Sequence, residues 1–193
     1  MSKRKWPHAE ATEVAEKIVA ALEPACESII IAGSLRRRKP LVGDVEIVFV
    51  PKIFAGRATD LFAAPSNESC ADVILGDMLK TGLLAKRQNV KGSQMWGPQN
   101  KLAVHVPTGI PVDLFVTNAE SWWNYLVCRT GGAESNIAIA AAAKRRGWKW
   151  NPYGSGFSRG GPLAGEEEIH LVTSERDVFE FAGLRYLEPE QRV

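Results

Sequence analysis

GSLRRRKPLVGDVEIVFV, residues 33–50, is the stretch on which the reading of the whole chain turns. It follows Ile29, Ile30, Ile31 and Ala32, a short apolar run that predicts a buried strand. Gly33-Ser34 ends that run. Glycine permits a tight turn and close approach of the backbone to a ligand, and N–H groups exposed at such a turn cradle phosphate oxygens. Arg36, Arg37, Arg38 and Lys39 follow at once. Gly43 then opens a second expected strand, in which Asp44 and Glu46 stand two residues apart. Side chains alternate along a strand, so both carboxylates fall on one face and Val45, Ile47 and Phe49 on the other. Neighbouring carboxylates repel each other unless a cation lies between them. A hard divalent cation such as Mg²⁺, held by one or two carboxylates together with substrate phosphates, suits that arrangement. The stretch therefore predicts a metal–triphosphate site. Taken singly, an acidic strand face or an arginine run is an ordinary solvated surface. Their closeness behind a Gly-Ser turn is what gives them weight.

The chain has 193 residues, enough for one or two small domains with cores of their own. Hydrophobic residues at 45% and charged residues at 24% are the proportions of a soluble globular protein. A formal net charge of only +2 does not by itself point to nucleic acid. The basic residues are gathered instead at Lys3-Arg4-Lys5, at 36–39, at Lys86-Arg87 with Lys91, and at Lys144-Arg145-Arg146. Clusters along one groove would be the footprint of a polyanion. Cys26, Cys70 and Cys128 are odd in number, widely spaced and without a Cys-x-x-Cys pair. That predicts free thiols in a reducing compartment and argues against zinc. His8, His105 and His170 are isolated and read as ordinary core or surface residues. No apolar run approaches membrane-span length, and the first residues lead into no signal-peptide core. The expectation is a soluble, cytoplasmic protein with no membrane partner.

Taken in order, residues 9–22 carry Val14, Ile18, Val19 and Leu22 at helical spacing, between Pro7 and Pro24. Residues 51–71 predict a loop with a short helix, and 73–79 a helix that stops near Gly82. Short alternating runs at 83–84, 91–96, 102–106 and 110–116 predict strands that continue the first sheet in antiparallel fashion. The last of them holds Asp113 between Val112 and Leu114. A lone strand acid is usually solvent-facing, but a third carboxylate on a neighbouring strand would complete a metal cage. After Thr117 the pattern is helical. Asn118 suits the N-cap of a helix over 119–128, and an Ala-rich helix over 134–146 ends in basic residues before Gly147. Residues 148–150 predict a short strand, 153–165 a glycine-rich loop, and 175–181 a final helix capped by Thr173 or Ser174.

Gly-Ser, nine residues, then Asp-x-Glu between apolar residues resembles the signature of the DNA polymerase beta-like nucleotidyltransferases. The fuller form GSLRRRK…VGDVEIV resembles the family X DNA polymerases. TGGAESNIAIAAAAKRRGWKWNPYG and SERDVFEFAGLRYLEPEQR are similar to the family's segment after the palm and to its C-terminal end. The resemblance implies an α+β fold: a nucleotidyltransferase palm over residues 1–117, with a mixed sheet and helices on one face, and a small helical domain with a short sheet over 118–193 that grips the nascent base pair. It implies a metal-dependent DNA polymerase filling short gaps in repair, with DNA and a deoxynucleoside triphosphate as partners, acting as a monomer. Asp44, Glu46 and Asp113 would be the catalytic, metal-binding acids, holding two Mg²⁺ ions. Gly33, Ser34, Arg37, Gly43 and Lys5 would bind the triphosphate. Arg129, Thr130 and Gly131 would lie under the sugar and Asn136 near the base. Lys91, Lys144 and Arg145 would touch the DNA backbone.

The sequence departs from the family pattern at several points. Glu46 stands where these enzymes usually have Asp, and the extra methylene favours a larger ion such as Mn²⁺. Cys128-Arg129 replaces an aromatic pair, and Ala140 replaces an arginine that some members set against the template. The chain resembles the compact two-domain viral members, which lack the N-terminal lyase domain. Two other readings remain open at this stage. One is untemplated addition, or transfer to a non-DNA acceptor. The other is a nucleic-acid-binding module without catalysis.

Overall fold

The computed structural model describes residues 4–54, 69–161, 163 and 165–193. Most of the loop expected over 51–71 lies outside these residues, as does Lys3. Two compact units divide the chain: residues 1–31 with Leu41–Val116, and Ala32–Pro40 with Thr117–Val193. A single division at residue 117 leaves Ala32–Pro40 with the N-terminal part of the chain. In the structure that segment groups with the C-terminal unit.

In the first unit Ala11, Val14, Ala15, Ile18 and Leu22 recur at three- and four-residue intervals and form the buried stripe of α1 (His8–Leu22). Pro7 precedes that helix at its N-cap. α1 packs on β2 (Cys26–Ile31) and β4 (Val45–Pro51). A second helix of this unit, 70–80, is capped by Ser69, whose hydroxyl accepts from the Asp72 N–H at 3.4 Å. Ala71, Leu75 and Met78 are its buried positions. The central sheet has five strands in the order β2-β4-β7-β6-β5, where β5 is Leu84–Lys86, β6 is Asn100–His105 and β7 is Ile110–Val116. Only β4 and β7 run parallel; the other pairings are antiparallel. The result is a mixed sheet, with the two helices packed on each other. Val45, Ile47, Val112 and Leu114 are fully buried between these layers.

Two strand expectations are corrected. Gly43 does not open a strand. β3 (Leu41–Val42) pairs antiparallel with β1 (Trp6–Pro7), so the chain bends at Gly43-Asp44 before β4 begins at Val45. Residues 91–96 are not a strand either. The Asn89 side-chain oxygen accepts from the N–H groups of Lys91 at 2.9 Å and Ser93 at 3.1 Å, and this local turn displaces a ladder. Single bridges, Gln88 with Gln94 and Trp96 with Lys101, are what remain of pairing there.

The second unit contains α2 (Gly33–Arg36), a single turn. With α3 denoting 70–80 above, α4 (Trp122–Thr130), α5 (Ala133–Arg145) and α6 (Glu175–Ala182) follow. A three-stranded antiparallel sheet has the order β10-β9-β8, from β8 (Lys149–Trp150), β9 (Gly156–Gly160) and β10 (Glu167–Leu171). Val127, Ile139, Ala142, Phe157, Val178 and Phe179 are central to the core. Asn118 does not cap α4 directly. Its side-chain oxygen accepts from the Ser121 N–H at 2.8 Å, one turn earlier, and the helix runs on through Arg129 and Thr130. The glycine-rich segment expected as a loop contains β9. Ser174 caps α6, accepting from the Asp177 N–H at 3.0 Å. His105 and His170 have structural partners, the Thr108 hydroxyl at 2.8 Å and the Asp177 carboxylate at 3.2 Å.

The start of α5 is closed by the end of the chain. The Ser135 N–H donates to the Val193 carbonyl at 2.7 Å, and the Val193 N–H donates to the Ser135 hydroxyl at 3.1 Å. A Cβ on Gly132 would stand 2.1 Å from the Val193 carbonyl carbon, so only glycine fits. Gly132→Ala is expected to destabilise the protein by about 1–3 kcal/mol, the usual cost of forcing packed backbone apart. A thermal melt beside wild type checks this.

Among the described residues no helix is long and apolar enough to cross a membrane.

Candidate active site

The acids lie in the first unit. Strands β4 and β7 run side by side in a register that sets Glu46 opposite Asp113, with Val45 opposite Val112 and Ile47 opposite Leu114. Because the flanking apolar residues are buried to one side, the two half-buried acids share the other face. Asp44 sits two residues before Glu46, in the bend that precedes β4. The N-terminal ribbon is brought to the same place. Trp6 is buried and pairs with Val42, and the Arg4 guanidinium lies over its ring at 5.2 Å. Arg4, Gly43, Asp44, Arg87 and Asn89 line one cleft of about 320 Å³.

Arg87 was not foreseen. It follows β5, its backbone N–H donating to the Leu102 carbonyl at 3.0 Å, and its Nη2 donates to Asp113 Oδ1. The sequence carried it only as part of a basic cluster. Lys5, expected on the triphosphate, is exposed beside β1, while its neighbour Arg4 lines the cleft. By donor chemistry Asp44, Glu46 and Asp113 suit a hard divalent cation: two carboxylates are in direct register and the third lies two residues before one of them. Among the described residues no three His, Cys, Asp or Glu side chains are drawn together closely enough to hold a metal. The register aligns the acids, and a guanidinium holds the third of them.

In the second unit the expected nucleotide residues are tied to one another. Gly33 has φ of +60°, a backbone conformation that side chains resist, and it starts the turn α2. The Ser34 hydroxyl is buried with no hydrogen-bond partner. Arg37 Nη1 donates to the Thr130 carbonyl at 2.5 Å, and Arg36 Nη1 to the Thr130 hydroxyl at 2.7 Å. Asn136 Nδ2 donates to the Cys128 carbonyl at 2.9 Å, closing the end of α4 beside Gly131. Arg129 lies over the rings of Tyr125 and Tyr153. Gly43 belongs to the first unit, and Lys91, Lys144 and Arg145 are exposed.

A buried ion cluster underlies this group. Both carboxylate oxygens of Glu175 accept from the Arg36 fork, and Arg192 Nη1 donates to Glu175 Oε2 at 2.6 Å. Arg192 is wholly buried, packed over the Phe179 ring, with its Nε on the Leu187 carbonyl at 3.0 Å. Burial alone would raise the Glu175 carboxyl. The hydrogen bond and charge of Arg36, with the charge of Arg192, outweigh it and hold the group below its ordinary value of 4.5.

Residues 125–193, which carry Thr130, Asn136, Glu175 and Arg192, match the family model for the DNA polymerase beta thumb. No curated protein sequence matches the chain. The crystal structure of Leishmania infantum polymerase beta, in a ternary gap complex, superposes with a TM-score of 0.73. The match covers 98% of this chain and 71% of that one, at 20% sequence identity. The chain has the fold of polymerase beta. Its polymerase beta-like fold is the α+β architecture expected from the sequence, with the mixed sheet in one unit and the thumb segment in the other. The thumb match begins at residue 125, so the three acids lie outside it. Their alignment rests on the register of β4 and β7.

Proposed function

We propose that the protein is a metal-dependent, DNA-directed DNA polymerase that fills short gaps in DNA repair. The observation that carries this reading is the register that sets Glu46 beside Asp113, with Asp44 two residues away, in a polymerase beta-like fold. The gap complex formed by the Leishmania protein supports gapped DNA as the substrate. Asp44, Glu46 and Asp113 would hold two Mg²⁺ ions. When bound, such ions stabilise the charge on the attacking and leaving oxygens of an in-line displacement. Asp113 also orients the primer 3′-hydroxyl and accepts its proton. Gly33 and Ser34 present a turn and an unused hydroxyl to the triphosphate, with Arg37, Gly43 and Lys5 supplying charge and close backbone approach. Arg129, Thr130 and Gly131 support the sugar and Asn136 the base. Lys91, Lys144 and Arg145 contact the DNA backbone, which positions the duplex without reading it. Phosphoryl transfer needs little more than positioning and charge from the protein.

Extension of a primer on a one-nucleotide-gapped duplex, with each dNTP singly and in Mg²⁺ and Mn²⁺, tests the proposal. The expected result is incorporation of the complementary dNTP alone. Incorporation of any nucleotide regardless of template makes the protein a terminal transferase. DNA binding without incorporation in either metal overturns the enzymatic reading.

A further inference from the structure

We infer that Arg87 switches partners. It holds Asp113 while no DNA is bound and passes to a phosphate of the primer strand when DNA arrives, so that DNA and the divalent cation bind cooperatively. This rests on the polymerase reading above.

Three observations within the first unit support the switch. Arg87 Nη2 donates to Asp113 Oδ1, which places a fixed positive charge on a carboxylate in direct register with Glu46. Nη1 makes only a long contact to the Gln88 carbonyl, at 3.4 Å, and among the described residues the buried Nε has no hydrogen-bond partner, so Asp113 is the one strong partner of the guanidinium. Finally, Arg87 lines the cleft with Arg4, Asn89 and Asp44. Two guanidiniums lining one cleft favour an anion there, and a phosphate offers the paired oxygens that an arginine fork matches.

The energetics follow from the shared group. A carboxylate already neutralised by guanidinium attracts a second cation weakly, and a metal must compete with Arg87 for it. A phosphate that draws the guanidinium away returns the full negative charge to Asp113. By linkage, the metal then strengthens DNA binding by the same factor that DNA strengthens metal binding. A purely structural ion pair predicts no such coupling.

The test is a Mn²⁺ titration followed by electron paramagnetic resonance, on wild type, Arg87→Gln and Arg87→Lys. Each is measured alone and with a primer–template duplex ending in a 3′-dideoxynucleotide, and Mn²⁺ taken up by the duplex itself is subtracted. Without DNA, Arg87→Gln is expected to bind Mn²⁺ more tightly than wild type. In wild type the duplex should strengthen Mn²⁺ binding about tenfold, and in Arg87→Gln that gain should shrink to about twofold. Arg87→Lys keeps the charge without the fork, and its gain should lie between the two. An equal gain in wild type and Arg87→Gln overturns the inference. So does weaker Mn²⁺ binding by Arg87→Gln alone, which would make Arg87 a residue that orients Asp113 for the metal. Primer extension by wild type on the same duplex with a free 3′-hydroxyl separates the two levels. If extension proceeds but the gains are equal, only the switch fails. If there is none, the polymerase reading fails.

Discussion

Asp113→Asn is expected to lower single-turnover nucleotide incorporation on the order of 10³-fold, with the melting temperature close to wild type. Asparagine keeps the shape of the side chain and removes the charge. Asp113 faces Glu46 across the parallel pair β4/β7, so on the proposed reading the loss falls where the metal ions would be held. The fold should tolerate the change, because Val112 and Leu114 on the opposite face carry the packing. Arg87 loses its counter-charge but can still donate to the asparagine oxygen, and with 28% of its side chain exposed its charge is solvated by water. Glu46→Gln should behave alike. Glu46→Asp should retain activity and move the metal preference from Mn²⁺ toward Mg²⁺, since it withdraws the ligand by one methylene. Full activity in Asp113→Asn would remove this residue from the chemistry.

Glu175→Ala is expected to destabilise the protein by about 3–5 kcal/mol. The carboxylate sits between two guanidiniums, one wholly buried, and alanine leaves both without compensation. In a chain of this size that corresponds to a fall in melting temperature of about 10 °C. Glu175→Gln keeps hydrogen bonding and should cost less. The pH dependence has a definite sign. The folded-state value is depressed below 4.5, so the stabilisation is complete above that pH and is lost as pH falls through the folded-state value. Wild type should therefore lose stability on acidification below about pH 4.5, and Glu175→Gln should show a flatter acid limb over that range. An unchanged melting temperature in Glu175→Ala would contradict the burial of this cluster. A second readout is the dNTP Michaelis constant. Arg36, freed from Glu175, should hold the Gly33-Ser34 turn less firmly and raise it.

How much of this was legible in the chain differs by residue. Glu46 could be read because period two is a local property: between buried Val45 and Ile47 it falls on the open face of the strand, whereas Asp44, read as part of the same strand, lies in the bend before it. Asp113 could be read as a third acid because its apolar neighbours marked a strand. The role of Arg87 was hidden. It lies 26 residues before Asp113, and its neighbour Lys86 makes it look like part of a solvated basic face. Only the order of β5, β6 and β7 brings the two within reach. Arg36 misled for a related reason. In the sequence it is one of four cations beside a phosphate turn, yet its partner Glu175 is 139 residues away. The bend at Gly43 was missed because it depends on a pairing between β3 and the first residues of the chain, which no periodicity in 41–46 reveals. Residues 91–96 failed in the opposite direction: alternation suggested a strand, and the Asn89 side chain made a turn.

Ala32–Pro40 belongs to the unit that also holds Thr117–Val193. The polypeptide therefore changes unit at 31/32, at 40/41 and at 116/117. Neither half can be released by a single proteolytic cut, and neither can be inherited as one contiguous cassette. A gene fusion that swapped in the C-terminal half of a distant homologue would supply a new Glu175 while keeping the old Arg36, so the two must change together. A fragment beginning at 117 should be poorly soluble when made alone. Addition of a peptide spanning 32–40 in trans is the obvious way to rescue it.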